Sequence, residues 1–129
     1  QMLKFAELET LPYDADLRAR ALAAAQKHGI RAFEGVYSAM QGPNLETPAE
    51  YTMLRHLGSD CTGMSSVPEV LVARHQDLPV LLLSLVTNVA YPPSAIKETS
   101  VDDVIAIARA AEPNLSRLVQ EVLRSLREA

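Results

Sequence analysis

Glu46 closes the stretch "GPNLE" and Asn88 closes "SLVTN". A carboxylate accepts from two neighbouring N–H groups, and a primary amide offers a donor and an acceptor in one plane, so the pair can read the edge of a nitrogen heterocycle. Ser65, in "GMSSV", comes where a helix is expected to begin, and its hydroxyl with the nearby backbone N–H groups suits an anion such as phosphate. Met64 beside it supplies a soft apolar surface. Taken singly, each residue also has a plain structural reading. Glu46 is an acid near a helix N-terminus, favoured by the macrodipole. Ser65 and Ser66 read as caps, Asn88 as a turn former after a buried strand, and Met64 and Cys61 as core.

Other chemistries find less support. His28, His56 and His75 each fall near the end of a predicted helix, two of them close before a glycine, where a positive or polar side chain meets the negative end of the dipole. The sequence has no His-Glu-x-x-His or His-x-Glu spacing for zinc, and "GMSSV" is not a Gly-x-Ser-x-Gly nucleophile elbow. No metal site is expected, and no serine hydrolase.

The candidate residues sit at the ends of alternating elements. Asp14 or Asp16 caps a helix through "LRARALAAAQKHG" that stops at Gly29. "AFEGVYSAM" reads as a strand ended by Gly42-Pro43. Thr47, Pro48 and Glu50 then form a capping box for the helix "PAEYTMLRHLG", closed by Gly58. "DCTGM" is a short strand, and Ser66, Pro68 and Glu69 repeat the same helix-opening pattern for "PEVLVARHQ". The run "LPVLLLSLVTN" predicts a fully buried strand. A loop with Pro92-Pro93 follows. Ser100, Asp102 and Asp103 open a long amphipathic segment that Pro113 is expected to kink or split. The alternation predicts an α/β fold whose ligands gather at the carboxyl ends of strands.

Composition bounds the rest. The chain has 129 residues, a hydrophobic fraction of 48% and a net charge of −4, enough for one domain with a core. Without a block of Lys or Arg there is no electrostatic footprint for nucleic acid or anionic lipid, so small molecules or proteins are the expected partners. One cysteine fits a reducing compartment, here the cytoplasm. No apolar run is long enough to span a bilayer, and no membrane association is expected. The chain opens on Gln1, which suggests processing or a piece of something longer.

Residues from Glu34 to Asn88 together resemble the C-terminal half of the trimeric purine nucleoside phosphorylases, the resemblance resting on "GPNLETPAE", "GMSSVPEVLVARH" and "SLVTN". It implies an α/β nucleoside phosphorylase-like mixed sheet flanked by helices. Residues 1–129 would form the C-terminal portion of a single such domain, with the N-terminal half absent. It also implies a pentosyltransferase that cleaves purine nucleosides with inorganic phosphate as co-substrate, without other cofactor, as a homotrimer in purine salvage. Carried onto this chain, Glu46 resembles the acid at the purine N1 edge, with Leu45 beside it. Asn88 resembles the amide at N7 and the 6-oxo group, making Glu46 and Asn88 the catalytic pair. Thr87 would line the base pocket, Gly63 and Met64 the floor under base and sugar, and Ser65 would bind phosphate.

An acid at Glu46 and an amide at Asn88 suit a 6-oxopurine, as in inosine or guanosine. Near the ribose 5′ position the sequence departs from the pattern. "TSVDDV" places Ser100 or apolar Val101 where 6-oxopurine members usually carry a histidine, so a 5′-methylthio nucleoside is a rival substrate. The family's glycine-rich phosphate loop, its phosphate-binding arginine and histidines, and its sugar-binding aromatic have no counterpart here. A catalytically inert structural fragment is therefore the alternative from another class. If the 129 residues stand alone, little or no phosphorolysis is expected, because Ser65 by itself cannot hold a dianionic nucleophile against water.

Overall fold

The computed structural model describes residues 12–127. In chain order these form α1 (Ala15–Lys27), β1 (Tyr37–Ala39), α2 (Pro48–His56), β2 (Cys61–Gly63), α3 (Val67–His75), a single 3-10 turn (Pro93–Ala95) and α4 (Val101–Arg127). The chain divides into two compact units. One contains α1, α3, residues up to Leu83 and the end of α4 from Leu118; the other contains Phe33–Ser65 and Ser84–Arg117.

In the first unit, Asp14 caps α1 by accepting from the Leu17 N–H at 2.8 Å. Ala21, Ala24 and Ala25 are buried, an i, i+3, i+4 spacing that lays one face of the helix on the core. Ala24 and Ala25 pack with Leu118, and Ile30 adds its side chain to them. Ile30 arrives there because α1 ends in a left-handed turn. Gly29 has φ +63°, its N–H donates to the Gln26 carbonyl at 3.2 Å, and the Ile30 N–H reaches the Ala25 carbonyl at 2.9 Å. Gly58 closes α2 with the same pair of bonds, through Gly58 to Arg55 and Ser59 to Leu54. Asp77 closes α3 likewise, at φ +57°, a conformation that Asp tolerates better than most residues.

The end of α4 is tied to α1 by charge. Glu121 accepts from Lys27 Nζ at 2.8 Å and Arg124 Nη1 at 2.9 Å, with His28 Nε2 at 3.4 Å. These partners, the Lys27 bond foremost, hold the Glu121 carboxyl at about 2, below its ordinary 4.5. A depressed carboxyl stabilises the fold above its unfolded value, and that contribution disappears as pH falls from about 4.5 through about 2. Circular dichroism of Glu121→Gln should therefore show a flatter loss of stability across that acid window than the parent. An unchanged slope would mean that the ion pairs are inert.

In the second unit, β1 and β2 pair in parallel, with Tyr37 opposite Cys61 and Ala39 opposite Gly63. The connection between them runs through α2, the expected βαβ arrangement. Asp60 fastens it by accepting from the Val36 N–H at 2.9 Å and from Arg55 Nη1 at 2.8 Å.

Three expectations change. The run 78–88 joins no ladder among the described residues; Val80 to Leu83 are half-buried and Ser84 to Val86 exposed, so it is not the fully buried strand that its apolarity predicts. A strand needs a hydrogen-bonding neighbour as well as apolar side chains, and the described sheet has only two parallel members rather than a mixed set. Pro113 does not split α4. The helix continues on both sides of it for 27 residues, about 40 Å, at the cost of the backbone bond that proline cannot donate. Ser66 precedes α3 at φ +77° and makes no capping bond with its side chain, so the helix-opening pattern of α2 is not repeated there. It recurs at α4, where Ser100 and Asp103 exchange side-chain and backbone bonds.

Candidate active site

The parallel register sets the carboxyl ends of β1 and β2 side by side. Met40 continues β1 by donating its N–H to the Gly63 carbonyl at 2.8 Å. Beyond it, Gly42 turns at φ +66° with its backbone against the Met64 side chain; a β-carbon there would stand 2.6 Å from the sulfur. A β-carbon on Gly63 would likewise collide with the Tyr37 hydroxyl, which donates to the Ser65 carbonyl at 2.9 Å. Gly63 thus ends β2, and Met64 and Ser65 follow directly on it, beside the turn that leads to Glu46. Met64 and Ser65 are exposed.

Thr47 begins α2 as its cap, and the capping is complete without Glu46. The Thr47 N–H donates to Glu50 Oε2 at 2.6 Å, and the Glu50 N–H donates to Thr47 Oγ1 at 3.3 Å. Glu46 is half-buried just before the Thr47 cap, and its carboxylate lies near the hydroxyl of Tyr51. Tyr51 is buried, 8% exposed, in the second turn of α2. The Asn88 side chain lies near the same phenol. Asn88 Oδ1 in turn accepts from the Thr87 hydroxyl at 3.0 Å. Glu46 and Asn88, with Thr87 bonded to Asn88, are therefore gathered around Tyr51. Burial, and then the neighbouring Glu46 carboxylate, push the Tyr51 phenol above its ordinary range.

The two residues singled out for heterocycle recognition are thus brought to one place, with Thr87 beside them. Leu45 is exposed on the turn before Glu46. Val101, the first residue of α4, is 75% exposed and open to solvent. Tyr51 itself is absent from the sequence-based set, because an aromatic in mid-helix reads as core. One signal was available: a tyrosine spaced three residues from Leu54 on the buried stripe must satisfy its hydroxyl, and Glu46 is the nearest acid outside the capping box. The histidines keep to helix ends, as their positions predict; His56 Nδ1 lies 2.8 Å from the Thr52 carbonyl oxygen. The Cys61 thiol is pushed up by burial and by the Asp60 carboxylate, away from nucleophilic thiolate.

Known proteins share this arrangement of segments. A purine nucleoside phosphorylase 1 of Geobacillus stearothermophilus is 40% identical over 116 residues, which are 88% of this chain and 41% of the relative. A probable 6-oxopurine nucleoside phosphorylase of Moorella thermoacetica is 38% identical over 117 residues, 88% of this chain and 44% of the relative. The chain therefore spans about two-fifths of the length of the curated relatives it matches. Among solved structures, a schistosoma purine nucleoside phosphorylase in complex with hypoxanthine superposes with a TM-score of 0.81 at 35% identity, covering 87% of this chain and 41% of that one. Structures of the Schistosoma mansoni enzyme with inosine and with adenosine match comparably, at TM-scores of 0.81 and 0.80. The architecture is accordingly α/β, a partial nucleoside phosphorylase fold. Since the Phosphorylase superfamily model matches residues 3–124, nearly the whole sequence, the chain belongs to the phosphorylase superfamily.

Proposed function

We propose that this chain supplies the base-reading part of a purine nucleoside phosphorylase acting on 6-oxopurine ribonucleosides such as inosine and guanosine. The observation that carries the reading is that Glu46 and Asn88, far apart in sequence, both lie beside Tyr51. Solved Schistosoma mansoni relatives are in complex with inosine and with adenosine, so the preference rests on this chain's own side chains. Glu46 accepts the N1–H of a 6-oxopurine. Asn88 accepts from Thr87 through Oδ1, and its two side-chain N–H donors suit N7 and the 6-oxo group, which are both acceptors.

In phosphorolysis a phosphate oxygen bonds to the anomeric carbon as the C–N glycosidic bond breaks, and the bonding pair leaves with the purine. Negative charge builds on the departing base, so a donor at N7 binds it more tightly as the reaction proceeds. A positioned donor of this kind is worth about 3 kcal/mol, two to three orders of magnitude in rate. Leu45, Gly63, Met64 and Thr87 frame the base and sugar in this reading, and Ser65 contributes to phosphate.

The N-terminal half of the domain would provide the remaining phosphate and ribose contacts. Large apolar side chains such as Phe33 and Leu57, 82% and 75% exposed, support a surface that such a half would cover. Assembly as a cytoplasmic homotrimer belongs to the same proposal and is measured by sedimentation. The apolar Val101 favours one variation, a 5′-methylthio nucleoside as substrate.

Inosine incubated with and without phosphate is the test, using this chain alone and with the N-terminal segment of a relative added. Hypoxanthine release that needs both phosphate and the added segment is the expected result. Absence of release in the complemented mixture would favour an inert structural role, and faster cleavage of methylthioinosine than inosine would favour the 5′-methylthio reading.

A further inference from the structure

We infer that Tyr37 is a positioning residue for phosphate: its hydroxyl, reaching over Gly63, holds the Ser65 carbonyl and so fixes where the Ser65 hydroxyl stands. The inference rests on the phosphate role proposed above for Ser65. In the parallel ladder Tyr37 is paired with Cys61, and Ala39 with Gly63. Residues two apart share a face of a strand, so the Tyr37 side chain lies on the face of β2 that carries Cys61 and Gly63. The phenol runs along β2 toward its carboxyl end, because its hydroxyl donates to the Ser65 carbonyl at 2.9 Å.

That path crosses Gly63. A β-carbon there would stand 3.1 Å from the phenol Cζ and closer still to the hydroxyl. Gly63 lies within β2 and outside the left-handed region, so its backbone does not call for glycine; the space taken by the phenol does. Ser65 comes two residues after the end of β2, and Tyr37 ties its backbone back to β1. With the carbonyl held, ψ of Ser65 is held, and with it the direction in which the side chain leaves the chain. The same bond engages the carbonyl oxygen, an acceptor that would repel an anion if turned toward it. Thr62 provides an internal control on the next position of the strand. Its hydroxyl donates to the Ser38 carbonyl at 2.9 Å, joining the same two strands without reaching the strand end.

The test is phosphorolysis of inosine by the chain complemented with the N-terminal segment of a relative, with circular dichroism as the check on folding. Tyr37→Phe, Thr62→Val, Ser65→Ala and the double variant of Tyr37→Phe with Ser65→Ala are compared with the parent. Tyr37→Phe is expected to raise KM for phosphate about fivefold, the net worth of one hydrogen bond, while KM for inosine stays within about twofold. Thr62→Val loses a comparable cross-strand bond and should leave both constants at parental values. Because Tyr37 acts through Ser65, the double variant should be no worse for phosphate than Ser65→Ala alone. A parental phosphate KM in folded Tyr37→Phe, an equal rise in Thr62→Val, or additive effects in the double variant each overturn the inference. Should Tyr37→Phe not fold, Gly63→Ala displaces the hydroxyl while keeping the phenol, and a parental phosphate KM there overturns the inference instead. A parental phosphate KM in Ser65→Ala overturns the phosphate role of Ser65, and no release by the complemented parent overturns the phosphorolysis reading, each taking the inference with it.

Discussion

Glu46→Ala should lower hypoxanthine affinity by about 10- to 150-fold while leaving the helix content of the chain intact. The magnitude follows from the value of a hydrogen bond to a charged group, about 1.5–3 kcal/mol, with each 1.4 kcal/mol a factor of ten. The structure separates this from the plain alternative in which Glu46 is a helix-terminal acid. Thr47 and Glu50 already satisfy the capping bonds of α2 between themselves, so the helix does not depend on Glu46. If the residue served only the dipole, the substitution would shift the urea midpoint and spare affinity. Titration calorimetry beside a urea melt distinguishes the two, and unchanged affinity with reduced stability would refute a recognition role.

The largest effect on stability should come from Leu118→Ala, at about 2–5 kcal/mol. Leu118 is 6% exposed and packs on Ala24 and Ala25, 8% and 2% exposed. Alanine neighbours have no rotamers with which to fill a void, so the cavity would stay largely open and the cost should fall toward the upper end. Against a typical domain stability of about 5–15 kcal/mol, such a loss is a large fraction of the whole. A urea melt followed by circular dichroism should show the midpoint collapse. A change of less than about 1 kcal/mol would mean that the α1–α4 contact contributes little to the fold.

Punctuation was the most legible part of the sequence. Asp14, the box of Thr47 and Glu50, and Gly29 and Gly58 all act where residue type demands, because caps are satisfied within a few residues of themselves. β1 and β2 were legible too, though three residues each are shorter than the segments predicted. What local pattern could not supply was pairing. "LPVLLLSLVTN" has the composition of a buried strand and no ladder partner among the described residues. Asp77 likewise ends α3 in a left-handed turn that a search for glycine passes over. At the site, residue chemistry nominated Glu46 and Asn88, but the phenol beside them lay inside a helix, where apolar patterning hid its polar end.

Gly42 and Met64 carry a consequence for how this molecule can vary. The backbone of the Glu46 turn rests on a thioether from the following strand end, and a methyl at position 42 would collide with it while straining a left-handed backbone. Bulk at one position is admissible only as the other shrinks. The two turns are thus bound to drift together, each acting as the mould for its neighbour.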